Sequence, residues 1–165
     1  MLRAQTAAAK RKTTIRPATG ADDIANAKAL CLAYAESLGF SLCFQGFDKE
    51  MAEFPGKYVP PTGALLIAER EGEPLGVVAL RHLGEGVGEM KRLYVKPEAR
   101  GLDLGRRLAE SICAEAKRLG YRAVRLDTLP TMGAAIELYR SMGFRNIAPY
   151  THNPVAGALF LEKSL

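Results

Sequence analysis

The segment over residues 89–108, EMKRLYVKPEARGLDLGRRL, predicts a strand, a proline-containing turn, a short loop and the start of a helix. From Leu104 to Leu119 apolar residues recur at helical spacing, which extends the helix beyond the loop. Such a connection directs several backbone N–H groups and the positive end of the helix dipole at one point. The sequence therefore predicts a phosphate-binding loop over residues 100–106, although its two glycines alone also fit an ordinary turn.

Strands and helices are predicted on both sides of this segment from apolar patterning and from glycine and proline breaks. The predicted strands cover residues 13–15, 64–68, 75–80, 89–95, 121–127, 144–147 and 156–162. The predicted helices cover residues 22–38, 48–54, 104–119 and 132–142. A meander followed by alternating strands and helices favours an α/β fold with one mixed, twisted sheet and helices on both faces.

The size and composition indicate one soluble domain, since the chain has 165 residues, of which 48% are apolar. We expect residues 1–12 to form a flexible basic N-terminal tail and residues 13–165 to form a single domain. A transit peptide is the alternative for the acid-free tail. The cysteines show no paired spacing, which favours a cytoplasmic protein. No apolar run is long enough to span a membrane, so we expect no membrane partner.

The basic charge balance leaves two classes of partner to consider. The formal net charge is +5 and the pI is about 9.2, which is compatible with nucleic-acid binding. However, much of the excess lies in the first sixteen residues, and no long basic stripe alternates with aromatic residues. We therefore expect a mildly basic enzyme with an anionic ligand and no nucleic-acid partner. His82 and His152 lack metal-ligand spacing, so no metal is expected.

Two motifs carry a resemblance to a known family. The pattern Val-x-Pro-x-x-Arg-Gly-x-x-Leu-Gly-x-x-Leu runs from Val95 to Leu108, and AAIELYRSMGF covers residues 134–144. They resemble motifs A and B of the GCN5-related N-acetyltransferases, the GNAT superfamily, and the order of predicted elements matches as well. The resemblance implies a GNAT-like fold with a V-shaped acyl-CoA cleft, where the third strand of the meander splays from the next strand.

The resemblance also implies acetyl-CoA as co-substrate. The loop would hold its pyrophosphate, and the strand before the loop would hydrogen-bond its pantetheine arm, with one N–H polarising the acetyl carbonyl. The implied cofactor-binding residues are Leu93, Tyr94, Val95, Arg100, Gly101, Leu102, Asp103, Leu104, Gly105 and Arg106. The chain departs from the family at Asp103, where a glycine is usual, and at Met132, where an asparagine is common. A carboxylate beside a pyrophosphate should weaken binding.

Direct acetyl transfer needs an acid for the leaving thiolate and a base for the amine proton. The resemblance implies Tyr139 as the acid and Glu89 as the base, often acting through water. The alternatives are a core tyrosine in an apolar helix stripe and an exposed acid paired with Lys91 or Arg92. Asp127 is a lesser candidate base.

The periodicity of a strand also predicts which side chains of the strand over residues 89–95 lie on the same face of the sheet. Because side chains alternate with a period of two, Glu89, Lys91, Leu93 and Val95 are predicted to share one face of the sheet.

The acceptor site is expected in the less regular segments. Residues 40–47, the turn over residues 84–88 and the loop PYTHNPVAG over residues 149–157 are candidates, with Phe44 and Gln45 as substrate-binding residues. Packing under a mobile loop is the alternative role for the aromatic residues.

The sequence as a whole predicts an acyl-CoA-dependent N-acyltransferase that moves an acetyl group to a primary amine of a small molecule in a ternary complex. Cys113 lies beside the buried stripe of its helix without a histidine nearby in sequence, so we interpret it as a core thiol, not a nucleophile. Three alternatives stay open: a peptide or protein N-acetyltransferase, a non-catalytic acyl-CoA sensor, and a nucleic-acid-binding protein. Dimerisation is common in the family, and a homodimer is left open.

Overall fold

The computed structural model describes residues 3–5, 12–39, 41–42 and 46–165. The strands are β1 (Thr13–Pro17), β2 (Ala64–Arg70), β3 (Glu73–Gly84), β4 (Val87–Val95), β5 (Ala123–Thr128), β6 (Arg145–Asn146) and β7 (Leu159–Ser164). The helices that pack on them are α1 (Gly20–Ser37), α2 (Phe47–Ala52), α3 (Leu104–Arg118) and α4 (Gly133–Ser141), with a 3-10 turn at Pro97–Ala99 before α3. In these described ranges no helix combines the length and apolarity that crossing a membrane requires.

The seven strands form one sheet in the order β1-β2-β3-β4-β5-β7-β6. All neighbours are antiparallel except β4 and β5, which pair in parallel only from Val87–Ala123 to Glu89–Arg125. Beyond Glu89 the two strands separate, and the space between residues 90–95 and β5 is a V-shaped cleft. The predicted mixed sheet and its cleft are confirmed.

Helices cover both faces of the sheet, as the apolar patterning predicted. On one face Leu108 and Ile112 of α3 are fully buried together with Val78 of β3. On the other face Leu30 of α1 packs in a second core cluster with Val77, the neighbour of Val78 in β3. Since β3 is apolar on both faces, it forms the centre of the fold.

The predicted elements form with altered bounds. β3 runs over Glu73–Gly84, longer than the predicted 75–80, whereas the strand predicted over 144–147 is reduced to Arg145–Asn146. The predicted tail over residues 1–12 lies largely outside the described residues.

Strand β4 contains a bulge that its sequence does not reveal. Val77 of β3 lies opposite Tyr94, but Ala79 lies opposite Lys91, so two residues of β4 face one residue of β3. Within the bulge, Arg92 adopts a left-handed φ of 61°. A non-glycine residue with positive φ is uncommon, so the surrounding contacts must hold this conformation in place.

The bulge reverses the alternation of side chains along β4. Leu93 and Val95 pack against the core beneath α3, whereas Lys91 lies opposite Ala79 of the other core cluster. Glu89 shares the face of Lys91, and their charged atoms are 3.8 Å apart. The prediction that Glu89, Lys91, Leu93 and Val95 share one face is therefore wrong, because one inserted residue shifts the period of two.

Candidate active site

The predicted anion loop forms between the 3-10 turn and α3. Gly101 and Asp103 both adopt left-handed backbone conformations, with φ of 89° and 64°, which turn the chain sharply into the helix. The helix then begins with a hydrogen bond from the N–H of Arg107 to the carbonyl of Asp103, and none of the described side chains caps it. The N–H groups of residues 104–106 precede that bond and can donate to an anion.

A cavity of about 530 Å³ lies at these amides, between the loop and α4. The loop residues that line it are Arg100, Gly101, Asp103, Leu104, Gly105 and Arg106. Ala134, Glu137, Leu138 and Ser141 line it from α4. Amide donors, two arginines and glycines without a Cβ atom fit a diphosphate group.

The two consecutive arginines at the start of α3 have different contacts. Arg106 donates from Nη2 to the hydroxyl of Ser141 at 2.6 Å, which places it at the rim of the cavity. Arg107 donates from Nη2 to the carbonyl oxygen of Thr13 at 2.8 Å, which ties α3 to β1. Only Arg106 of this pair therefore lines the anion site.

A second cavity, of about 380 Å³, continues the first one towards the sheet. The two cavities share Arg100, Gly105, Ala134 and Leu138. The second reaches Leu93 of β4 and Met132 at the start of α4. Together they form one groove, and past Glu89 no strand of the described residues pairs with the edge of β4 beside it. An extended ligand arm can hydrogen-bond to such an edge.

Two of the predicted cofactor residues turn their side chains away from this groove. Leu102 packs in the core beneath α3. Tyr94 packs on the α1 side, where its ring centroid is 6.1 Å from that of Tyr34. Leu93 and Val95 do line the groove, so contributions from Leu102 and Tyr94 are limited to their backbone groups.

The groove ends in a small cavity of about 90 Å³ where β4 and β5 separate. It shares Leu93 and Met132 with the groove. Tyr139, Tyr34 and Asp127 also line it. Tyr34 lies on α1, and nothing in its sequence spacing distinguishes it from a core residue.

Tyr139 is both a core residue and a cavity residue. Its side chain is 7% exposed, and its ring centroid is 5.6 Å from that of Phe144. The hydroxyl makes no hydrogen bond within the described part of the chain. Burial, reinforced by Tyr34 and Cys113, raises the pKa of Tyr139, so the phenol stays protonated. It can therefore donate a proton to a developing anion in the cavity.

Glu89 is buried, which differs from the exposed acid that was the alternative expectation. Its residue exposure is 1%, and Oε1 accepts a hydrogen bond from Nε of Arg81 at 2.7 Å. Oε2 accepts a hydrogen bond from the hydroxyl of Tyr150 at 2.7 Å. Burial and the charge of Glu89 raise the pKa of Tyr150, which keeps that phenol a donor.

The structure does not bring Glu89 and Tyr139 into one cavity. Glu89 lies behind Lys91, which does line the small cavity with Tyr139. Asp127, the lesser candidate base, lines it too, and one of its oxygens accepts a hydrogen bond from Nδ2 of Asn153 at 3.1 Å. A proton could reach Glu89 only through an intervening group.

A fourth cavity, of about 350 Å³, lies on the α1 side of the sheet. Its lining residues are Gly46, Lys49, Glu50, Glu53, Gly56, Lys57, Tyr58, Arg81 and Lys91. Because Lys91 also lines the small cavity, the two cavities adjoin at this side chain. The fourth cavity is the candidate acceptor site.

The acceptor segments predicted from sequence have different outcomes. Phe44 and Gln45 lie outside the described residues. The turn over residues 84–88 lines none of the cavities described above, and the carbonyl of Glu85 accepts a hydrogen bond from Arg122 at 3.0 Å, so its role in acceptor binding stays a prediction. The loop over residues 149–157 lines none of these cavities either, but Tyr150 contacts Glu89 and Asn153 contacts Asp127, so its role in acceptor binding also stays a prediction.

Cys113 is 6% exposed within the core beneath α3. Burial raises the pKa of its thiol to about 11, so little thiolate forms near neutral pH. Among the residues that the structure describes, no group of three or more His, Cys, Asp and Glu side chains could hold a metal ion.

Three features of the structure fit the acyl-CoA cleft that the sequence resemblance implies. The sheet opens between two parallel strands, a helix N-terminus presents an amide-lined loop, and a groove ends at a buried tyrosine. The sequence profile of the acetyltransferase (GNAT) family matches residues 30–144, which is more than half of the chain. The chain therefore belongs to the GNAT family.

Individual relatives agree with this assignment. An uncharacterized N-acetyltransferase of Schizosaccharomyces pombe is 43% identical over 142 residues, which cover 85% of this chain and 87% of the relative. An acetyltransferase structure from Streptococcus agalactiae has a TM-score of 0.76 at 18% identity and covers 94% of this chain and 99% of its own. The Salmonella typhimurium protein yncA, solved with its cofactor acetyl-CoA, has a TM-score of 0.69 at 21% identity and covers 93% and 94%. The chain is therefore an N-acetyltransferase.

Proposed function

We propose that this enzyme transfers the acetyl group of acetyl-CoA directly to a primary amine of a small molecule, within a ternary complex. The observation that carries the proposal is the small cavity at Tyr139. It continues into the groove on one side and adjoins the acceptor cavity at Lys91 on the other. A thioester and an amine can therefore meet there from opposite sides without an acyl-enzyme intermediate.

The groove supplies the contacts that acetyl-CoA needs. The diphosphate lies at the N–H groups of residues 104–106, with Arg100 and Arg106 as counter-charges. The pantetheine arm follows the open edge of β4 from Val95 to Leu93. An N–H group of that edge donates to the acetyl oxygen as negative charge develops there.

The protons follow two separate routes. When the amine attacks the acetyl carbon and the C–S bond breaks, Tyr139 gives its proton to the thiolate of CoA. The amine proton passes through water or the hydroxyl of Tyr150 to Glu89, which Tyr150 contacts at 2.7 Å. Before the next turnover Tyr139 takes a proton from solvent and Glu89 releases its proton to solvent.

The acceptor cavity favours a small molecule over a protein segment. Its volume of about 350 Å³ lies in the range of roughly 300–1,000 Å³ that is typical of small-ligand sites. α2 and the segment after it, including Tyr58, cover one side of the cavity, whereas a peptide acceptor needs an open groove.

Release of free CoA thiol from acetyl-CoA tests this function, measured with a panel of amino acids, aminoglycosides, polyamines and short peptides. A reaction without amine measures hydrolysis, and initial rates at varied concentrations of both substrates should give intersecting lines. Turnover of peptides alone would replace the small molecule with a peptide acceptor. Binding of acetyl-CoA by calorimetry without turnover of any amine would favour the non-catalytic sensor.

A further inference from the structure

We propose that the acceptor carries a carboxylate next to its amine, so that the acceptor cavity is a site for an α-amino acid. The proposal rests on the function proposed above and names its substrate class. The cavity is lined by four cationic side chains, those of Lys49, Lys57, Lys91 and Arg81, against the carboxylates of Glu50 and Glu53. Of the four, Arg81 is already hydrogen-bonded to the buried Glu89.

The first of these carboxylates is already neutralised. Glu50 accepts hydrogen bonds from Nε and Nη2 of Arg92, both at 2.9 Å, and another from the hydroxyl of Tyr58 at 2.9 Å. The Arg92 side chain is 3% exposed and lies beneath the cavity, with its guanidinium 5.1 Å from the ring centroid of Phe47. This pair leaves no net charge facing the cavity.

Lys91 forms one long ion pair, with Glu89, but no hydrogen bond to a carboxylate within the described chain. Its Nζ is 3.8 Å from Glu89, beyond hydrogen-bond distance, and Glu89 already accepts shorter bonds from Arg81 and Tyr150. The Lys91 side chain is only 12% exposed. Burial lowers the pKa of Lys91, as expected for an ammonium group that has lost water without gaining a full partner. An anionic ligand would supply that partner.

The rest of the cavity wall reinforces this positive charge. Lys49 and Lys57 are exposed, and neither pairs with a carboxylate of the described residues. A positively charged cavity of this kind attracts anions and repels polycations such as polyamines.

The position of Lys91 sets the distance between the two groups of the acceptor. This residue lines the acceptor cavity and the small cavity of Tyr139. A carboxylate bound by Lys91 would hold an amine only two bonds away, at the entrance to the small cavity. An α-amino acid has this spacing, whereas a plain amine lacks the anchoring group.

The test compares each α-amino acid with its carboxamide and its decarboxylated amine in the thiol-release assay. Each rate is divided by the concentration of the unprotonated amine, because removing the carboxylate changes the pKa of the amine. We expect kcat/KM to be roughly tenfold or more higher for the amino acid, since hydrogen bonds to charged groups are strong. Acidic amino acids should exceed basic ones.

Two lysine variants test whether Lys91 is responsible for the preference for amino acids. Lys91→Met should reduce the ratio of amino-acid to carboxamide kcat/KM towards one, mainly through a raised KM for the amino acid. Lys117→Met, an exposed lysine of α3 outside every cavity described, is the matched control and should keep the wild-type ratio. Acetyl-CoA binding by calorimetry shows that each variant is folded.

The outcomes separate the two proposals. Equal or faster turnover of amines without a carboxylate would overturn the amino-acid site and leave the acetyl transfer standing. An unchanged ratio in Lys91→Met would also overturn it. Thiol release with no member of the panel would overturn the proposed function, and the amino-acid site with it.

Discussion

The hydroxyl of Tyr150 donates a 2.7 Å hydrogen bond to Oε2 of Glu89, across 61 residues of sequence. The loop after β6 thereby reaches a buried carboxylate of β4. The guanidinium of Arg125 lies 5.6 Å from the centroid of the Tyr150 ring, and the ring of Phe160 meets it edge-on at a centroid distance of 5.6 Å. These contacts place the Tyr150 hydroxyl beside Glu89, as the proposed proton route requires.

Replacing Glu89 with Gln removes the proposed proton acceptor while keeping its shape. We expect kcat/KM to fall roughly 100-fold at low pH and the deficit to shrink as pH rises, because more of the amine is then deprotonated in solution. A pH–rate profile identical to that of the wild type would mean that another base, such as Asp127, or bulk water accepts the proton.

The companion variant Tyr150→Phe cuts the hydrogen bond but leaves the carboxylate in place. If Tyr150 relays the proton, this variant should show the same pH-dependent deficit as Glu89→Gln. A deficit that is independent of pH would assign Tyr150 to positioning instead.

Tyr139→Phe tests the proposed acid. Because the phenol is protonated and lines the small cavity, its loss should lower kcat roughly 100-fold or more, with the Kd of acetyl-CoA little changed. Tyr121→Phe is the control, since Tyr121 is a buried tyrosine whose hydroxyl donates to the carbonyl of Thr62 away from the cleft. Full activity of Tyr139→Phe would leave this residue as part of the core only.

Asp103 places a carboxylate at the wall of the anion cavity. At about 4 Å in water, a like charge costs roughly 1 kcal/mol, which corresponds to roughly a fivefold change in Kd. Asp103→Asn removes the charge and tolerates the left-handed φ of 64°, whereas Asp103→Gly also removes any backbone strain. We expect both variants to bind acetyl-CoA more tightly in calorimetry at low salt. An equal Kd in Asp103→Asn would show that the carboxylate does not affect acetyl-CoA binding, and a higher Kd would show that it strengthens binding.

Arg16 joins three elements through two carboxylates. It donates to both oxygens of Asp23, at 2.5 and 2.8 Å, and to Glu69 at 2.7 Å from Nε. The hydrogen bonds from Arg16 and from the N–H of Thr19 lower the pKa of Asp23 from 3.8 to about 2. A lowered pKa in the folded state stabilises the fold above pH 4, and this contribution disappears as pH falls through about 2.

Asp23→Asn should therefore lower the free energy of unfolding by on the order of 1 kcal/mol at neutral pH, a value reduced by solvent screening at the half-exposed Arg16. The loss should diminish between about pH 4 and about pH 2, measured by denaturant unfolding. Asp22→Asn, an exposed neighbour in the same helical turn, controls for the loss of a negative charge near the helix N-terminus. If both variants lost the same free energy of unfolding at all pH values, the hydrogen bonds from Arg16 to Asp23 would not contribute to stability.

The fold was largely predictable because its signals are local. The apolar stripe from Leu104 onward predicted α3, and the short apolar runs predicted the strands of the meander. The anion loop was predicted because it connects the two. The bulge was not predictable, because Arg92 has no glycine signature and its left-handed backbone is held by contacts with Glu50, 42 residues away in sequence. That single irregularity decided which face of β4 each side chain occupies.

For the site as well, the parts that belong to contiguous motifs were predictable, and the parts assembled from distant segments were not. Tyr139 and the loop belong to contiguous motifs, and the structure places both along one groove. The acceptor cavity is assembled from α2, β3 and β4, so Arg81 and Lys91 could be recognised as its walls only once the strands were aligned. The hydrogen bond of Tyr150 likewise depends on a long-range contact that no local pattern encodes.

Acetyl-CoA binding to a variant with a blocked groove tests the central claim most directly. Ala134 is exposed on α4 and lines both parts of the groove, so Ala134→Trp should fill it without disturbing the core. Ala114→Trp, at an exposed position of α3 outside the described cavities, is the matched control. We predict by calorimetry that Ala134→Trp weakens acetyl-CoA binding roughly tenfold or more and that Ala114→Trp leaves it unchanged. Wild-type affinity in Ala134→Trp would contradict the placement of acetyl-CoA in this groove.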